Sequence, residues 1–399
     1  MAVFPANIPD SLLRIVHASS IGAATFKRLQ QHFSTCDAIA GATISQLRDV
    51  DGLGSVRADA IRSSLDDVDV AACRDAMHEA DVGLIALGDA DYPPLLSMID
   101  DPPIALFVQG SITPEDTISI AIVGSRRCTA YGREQAARFA GLLAQSGLTI
   151  VSGGARGIDG EAHRAAMRHG GRTIVIMGSG HSNPYPAEHA ELFAHIAAEQ
   201  HGAVLSEYPP LAGPRREHFP RRNRIISGMS LGVLVVEAAR GSGALITARA
   251  AAEHHGREVM AIPGRVDAPA SRGCLQAMRD GWASMVLDHA DVLTQLETSA
   301  QHLLRGAHAS QSLPAAQPAP DEQDDTSASE YSLLAQMNLT TTQESIVNQL
   351  KIAGDRILID DLPAMTQLPM QTIMADLTIL QIRGVIARQD AHIRLGKKR

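Results

Sequence analysis

The chain has 399 residues and a formal net charge of −9, with 45% hydrophobic, 20% charged and 3% aromatic residues. That profile excludes a fibrous or disordered chain and predicts two to four soluble globular domains with an aliphatic core. The acidic balance excludes histone-like wrapping of DNA but leaves room for one local basic groove.

The four cysteines (Cys36, Cys73, Cys128, Cys274) lie far apart with no CxxC pair, so reduced thiols are expected and a zinc site is not. Met1-Ala2-Val3-Phe4-Pro5 has no basic n-region, and no apolar run reaches the roughly 20 residues of a membrane helix. A cytoplasmic location, no membrane and no cofactor are the expectation.

In chain order, residues 1–83 read as a domain of short helices. Ser20-Ile21-Gly22-Ala23-Ala24-Thr25 and Val50-Asp51-Gly52-Leu53-Gly54-Ser55 each place an apolar residue before a glycine and then start an amphipathic helix. The second resembles a helix–hairpin–helix turn, whose backbone N–H groups can meet a phosphate; the first keeps one glycine of that pattern. A small helical bundle without DNA contact explains both equally well.

The next predicted domain covers 84–299. It starts with turn signals and short apolar runs over 84–117, expected as an irregular extension leading into a sheet. From 118 to about 296, apolar runs at 118–123, 148–151, 173–177, 203–205, 232–236 and 258–262 alternate with helical patterns. Continuous rather than alternating hydrophobicity marks strands covered on both faces, so the fold class is α/β, a Rossmann-like doubly wound parallel sheet. Residues 300–337 are rich in Pro, small polar and acidic residues and read as a flexible linker. In the final domain, 338–399, helices at about 341–352, 358–366 and 370–383 precede strand-like 384–388 and 392–395. Three helices and a hairpin predict a winged helix, and eight basic against six acidic residues give it a net +2. Such a domain binds DNA or docks proteins.

Three strand ends carry glycine-rich loops. Gly124-Ser125-Arg126-Arg127 ends the first strand of the repeat, Ser152-Gly153-Gly154-Ala155-Arg156-Gly157-Ile158-Asp159 follows the second, and Gly241-Ser242-Gly243-Ala244-Leu245-Ile246-Thr247 follows the strand ending at Val236. Glycines let backbone approach an anion, and a helix N-terminus supplies free N–H groups. The spacing is neither GxGxxG nor a Walker loop. The densest basic cluster lies between two of these loops: Arg215, Arg216, Arg221, Arg222 and Arg224 fall within ten residues, with Phe219 among them. It is expected to form a loop between the strands at 203–206 and 231–236. Arginine forks bind phosphates bidentately and an aromatic ring stacks a base, so the loops and the cluster together predict one long anion-binding groove.

No catalytic constellation stands out. His163, His181, His189, His195 and Cys128 read as ordinary polar or core residues. Asp159 is expected to orient its loop or cap its helix. Glu237, at a strand end, has an arginine or backbone N–H groups as its expected partners.

The motifs Val-Gly-Ser-Arg (123–126), Ser-Gly-Gly-Ala-Arg-Gly-Ile-Asp (152–159), Ser-Glu-Tyr-Pro (206–209), Phe-Pro-x-Arg-Asn-Arg-Ile-Ile-Ser-Gly (219–228) and Ser-Gly-Ala-Leu-Ile-Thr-Ala (242–248) resemble, in order, those of the bacterial DNA-processing protein A family, also called Smf. Asp91-Tyr92-Pro93 and Pro263-Gly264 add to the likeness. The resemblance implies a sterile-alpha-motif-like or helix–hairpin–helix domain before an extended Rossmann domain, and a winged helix after it. It implies a non-enzymatic homodimer that binds single-stranded DNA during natural transformation, shields it and helps load the RecA recombinase. Carried onto this chain, Gly124, Ser125, Arg126, Gly153, Gly154 and Arg156 would hold phosphates. Arg221, Arg222 and Arg224 would line the groove, Asn223 would make polar contacts, and Phe219 would stack near a base. Ser242, Gly243 and Thr247 complete the candidate set.

A rival from another class is a nucleoside-monophosphate phosphoribohydrolase, whose related loop is Pro-Gly-Gly-x-Gly-Thr-x-x-Glu. The comparable loop here, Gly241 to Ala248, has alanine where the catalytic glutamate would stand.

Overall fold

In the computed structural model the described residues are 8–198, 201–297, 303, 339–353, 356–389 and 391–396. The linker expected over 300–337 lies outside them apart from residue 303.

Six short helices come first: α1 (Asp10–His17), α2 (Ala23–His32), α3 (Cys36–Gly41), α4 (Ile44–Arg48), α5 (Ser55–Asp66) and α6 (Val70–Glu79). Their starts follow from local chemistry. Thr35 and Asp69 cap α3 and α6 through their side chains, and Thr43 with Gln46 forms a capping box at α4. Ile15, Phe26, Leu29, Leu47, Ile61 and Leu65 make their shared core.

A nine-stranded sheet follows. Its strands are β1 (Gly83–Ala86), β2 (Ala105–Gly110), β3 (Ser119–Val123), β4 (Thr149–Ser152), β5 (Thr173–Met177), β6 (Gly202–Ser206), β7 (Gly232–Val235), β8 (Glu258–Ala261) and β9 (Ser284–Met285). The spatial order is β1-β2-β6-β5-β4-β3-β7-β8-β9. From β6 to β9 every pairing is parallel, as the unbroken apolar runs predict. The expectation of an irregular 84–117 and a purely parallel sheet needs correction. β1 and β2 pair with each other and β2 pairs with β6, all antiparallel, so the sheet is mixed. The strands are short and the turn residues between them mask their alternation, but Leu84, Phe107 and Val108 are buried like any strand residue.

Two helical layers cover the sheet. On one face lie α8 (Ala130–Gln145), α9 (Ile158–Arg168), α10 (Ala190–Ala198) and the helical segment 289–297. On the other lie the short α7 (Pro94–Ser97), α11 (His218–Gly228), α12 (Gly243–His255) and α13 (Arg272–Arg279). The chain winds outward from β3 through β4 and β5 to β6, then returns to the far side of β3 for β7. The loops after β3 and β7 therefore part in opposite directions, which opens a crevice at the carboxyl ends of these strands.

The C-terminal unit has α14 (Thr341–Ala353), α15 (Leu362–Thr366), α16 (Met370–Ile382) and a three-stranded antiparallel sheet in the order β10-β12-β11. The sheet adds β10 (Arg356–Leu358) to the expected hairpin β11 (Ile386–Gln389) and β12 (His392–Leu395).

Candidate nucleic-acid interface

The first two glycine loops are interlocked. Ser125 N donates to Glu237 O at 2.7 Å, which fixes the turn after β3 against the end of β7. Gly124 lies against Ile158, where a Cβ would come within 2.5 Å of the isoleucine Cγ1. Gly157 has φ +77°, and a Cβ there would run into the carbonyl oxygen of Ser125. Gly157 accepts only glycine because two backbones meet there, and Gly124 because the branched root of the Ile158 side chain fills the space of a Cβ. Ser125 Oγ accepts from Arg127 N at 3.1 Å, and this turn leaves Arg126 and Arg127 exposed.

The arginine cluster is not the expected loop. Arg215 and Arg216 sit in an irregular approach, but His218 to Gly228 is helical. Pro220 in the first turn is compatible with a helix, and Arg222, Ile225 and Ile226 fall on its inner face at spacings of three and four. The helix sorts the arginines by face. Arg221 is exposed. Arg222 is 4% exposed and points under the groove, donating to Gly153 O at 2.6 Å and to Ile176 O. Its burial lowers its pKa to about 10, and the Asp159 carboxylate opposes that shift. Arg224 turns away to Glu207 (2.6 Å) and Asp101 (2.9 Å), so both of its ion pairs are internal. Asn223 Oδ1 accepts from Arg222 Nε at 3.2 Å.

Asp159 sits at the start of α9 and accepts from Ala155 N at 3.3 Å. It orients the loop, one of the roles the sequence suggests for it. Burial pushes its carboxyl pKa up while Arg222 pulls it down. Gly154, at φ +63°, lies against Phe193, and Gly153 lies against the Arg222 guanidinium. Arg156 is exposed and forks onto Glu188, with Nη2 to Oε2 at 2.9 Å. Such a surface pair exchanges readily with a phosphate.

Phe219 packs over Gly178, within 5.4 Å of the Tyr185 ring and under the Arg126 guanidinium at 5.5 Å. Arg126, Phe219 and Tyr185 thus form one cation-capped aromatic edge beside the two glycine loops. Tyr185 and Glu188 escape sequence reasoning, because no local pattern links them to Phe219 or Arg156.

The third loop sits differently. Ser242 precedes α12 with its Oγ buried and unpartnered, Gly243 is exposed, and Thr247 is 2% exposed and donates to Gly243 O. The loop's packing is to α13: Gly273 N donates to Ala238 O at 2.8 Å and Leu245 lies over Gly273. Glu237 is 3% exposed and accepts from Thr129 N (3.1 Å) and Oγ1 (2.6 Å). Its carboxylate ties down the start of α8 and meets backbone and hydroxyl rather than arginine.

The histidines are structural. His163 bonds Thr173 Oγ1, His189 bonds Gly154 O and His181 bonds Val204 O, while burial lowers the pKa of His163 to about 3 and of His181 to about 4. Burial also raises the Cys128 thiol pKa, the wrong direction for a reactive thiolate. Among the described residues no group of His, Cys, Asp and Glu has a metal-holding arrangement, and no helix is long and apolar enough to cross a membrane.

Residues 83–297 match the model of a family described as DNA recombination-mediator protein A. The chain is 33% identical to the Smf protein of Synechocystis over 384 residues, covering 92% of this chain and 94% of that one. It is 45% identical to the Smf protein of Escherichia coli over 214 residues; there the match covers 54% of this chain and 56% of its relative. Among solved structures, DNA processing protein A from Streptococcus pneumoniae aligns with a TM-score of 0.63 at 32% identity, over 72% of this chain and 98% of that one.

Proposed function

The chain belongs to the DNA recombination-mediator protein A family, and from that premise we propose that it binds single-stranded DNA across the crevice at the carboxyl ends of β3 and β4. One observation carries the reading: two interlocked glycine loops, the aromatic edge of Phe219 and Tyr185, and the exposed Arg126 and Arg127 meet on one side of the sheet. Backbone N–H groups, mobile guanidinium groups and a stacking ring suit an unpaired strand, whose bases are free to stack. Gly124, Ser125, Gly153 and Gly154 bring backbone to the phosphates, Arg126 and Arg156 pair with them, Phe219 stacks a base, and Arg221 holds a phosphate where the strand crosses the first turn of α11. Arg222, Asn223 and Arg224 hold the shape of the site from beneath and beside it. Ser242 and Gly243 extend it at the start of α12, with Thr247 as support.

Shielding incoming single strands and handing them to the RecA recombinase, as a homodimer in natural transformation, complete the proposed role and rest on the family alone. We assign no catalytic step. The stretch from Gly241 to Ala248 carries no carboxylate, and Glu237, the one acid in the loop after β7, is already engaged with Thr129.

Anisotropy titration with labelled oligothymidine, with and without its complement, tests the reading. The single strand binds more tightly, with little sequence preference and a log–log salt slope of about −0.7 per phosphate neutralised. Salt-independent binding, or equal affinity for duplex, overturns it. Steady release of adenine from AMP would instead favour the phosphoribohydrolase.

A further inference from the structure

A second recess lies on the other side of α11. It is a cleft of about 790 Å³ between the N-terminal helices and the sheet domain, walled by the turn before α2 and by Arg57, Tyr208, Arg215, His218 and Arg221. Of the site residues named above, Arg221 and Arg224 line it.

Helix geometry connects the two. At the start of α11, Phe219 and Arg222 face the glycine loops, whereas His218, Arg221 and Arg224 recur every three residues and face the cleft. The first turn of α11 is therefore a wall shared by the interface and the cleft. Arg57 comes from the N-terminal domain, in the first turn of α5, and Arg215 and Arg221 from the sheet domain. All three are exposed and without an ion-pair partner among the described residues. The cleft also holds acids, but Asp101 and Glu207 are committed to Arg224, which leaves only Glu217 to oppose three free cations. Tyr208 and His218 stack at 3.8 Å, with ring planes 16° apart, and give this wall a flat aromatic face. Exposed arginines from two domains converging on a recess with a flat aromatic wall form a chemistry for a phosphodiester with a base, not for an apolar peptide.

We propose that a bound single strand crosses the first turn of α11 and enters this cleft, so that the N-terminal helical domain supplies the second half of the binding track through Arg57 and the turn before α2. The inference rests on the single-strand reading above and adds a length requirement. A short oligonucleotide is satisfied by the glycine loops, whereas a longer one reaches the cleft.

The test uses the full chain and two labelled oligothymidines, of about 6 and about 20 nucleotides. Arg57→Glu reverses an exposed charge that has no ion pair. Ala24→Glu places an acid at the start of α2, where it favours the helix while repelling a phosphate, so lost affinity there is not lost folding. Each variant weakens the long oligonucleotide about tenfold or more, the loss expected of one charge-assisted contact, and leaves the short one unchanged. If both variants bind the long oligonucleotide like the parent chain, or weaken long and short alike, the strand does not enter the cleft. If the parent chain binds neither oligonucleotide, the function proposed above fails instead, before this inference is reached.

Discussion

At the scale of single residues, arginines that look alike in the sequence have opposite duties. Arg221 and Arg222 are neighbours, yet one is in solvent and the other is buried with two backbone carbonyls as acceptors. We predict that Arg221→Ala weakens single-strand binding equally for all sequences and leaves the thermal midpoint unchanged. Arg222→Ala should destabilise the fold by about 3–5 kcal/mol, because it strands Gly153 O, Ile176 O and the buried Asp159 carboxyl. Urea unfolding beside anisotropy separates the two, and equal stability of both variants would mean Arg222 is not the keystone described. His163 sets a second expectation. It has a folded pKa of about 3 against an ordinary 6.5. Between those values the unfolded chain binds the extra proton, so stability is full above pH 6.5 and falls as pH drops toward 3. At pH 5 this one group costs about 2 kcal/mol relative to neutral pH, read as a lower urea midpoint. His163→Gln should flatten that part of the profile.

At the scale of elements, most of the sheet was legible because both its faces are covered. The strands from β3 to β8 fall on six apolar runs, since burial on both sides removes any need for polar alternation. The hairpin β1–β2 was not, as its signal is four to six residues long among prolines and aspartates. In α11, charge density hid the helix. A helical wheel drawn through Arg222, Ile225 and Ile226 would have placed Arg222 inward. The glycine motifs identified the loops, but not which glycines face a ligand and which face another loop. Contact between loops distant in sequence settles that, as at Gly157. We predict that Gly157→Ala forces the β3 and β4 loops apart. It adds backbone strain of about 1–3 kcal/mol, since φ +77° with ψ −124° is open in practice only to glycine, to a clash with Ser125 O, so both the thermal midpoint and single-strand affinity should fall. Alanine at Gly213, which has no neighbour in reach, should change neither.

At the scale of the whole molecule, the C-terminal unit is packed on the sheet domain by α16, the helix that would read duplex DNA if this unit is the winged helix its sequence suggests. One side of α16, with Ile373, Leu377 and Leu380, closes the unit's own core; the other, with Ala375, Ile379 and Ile382, joins the core around α8 and the 289–297 helix. Polar contacts frame the junction. Gln343 donates to Ser146 O and to Asp376 Oδ1, and Arg383 donates to Gly147 O at 3.2 Å. A helix covered on two sides cannot also lie in a major groove, so of the two uses open to this domain the docked form serves packing. Removing 338–399 should therefore leave single-strand affinity within about twofold while lowering the thermal midpoint, because an apolar face of α8 becomes exposed. Ile379→Asp, in the intact chain, should give the same affinity and split thermal unfolding into two transitions as the unit lets go. If the deletion instead abolishes single-strand binding with the sheet domain still folded, the C-terminal unit rather than the α11 crevice is the principal site, and the docked arrangement is not the one that meets DNA.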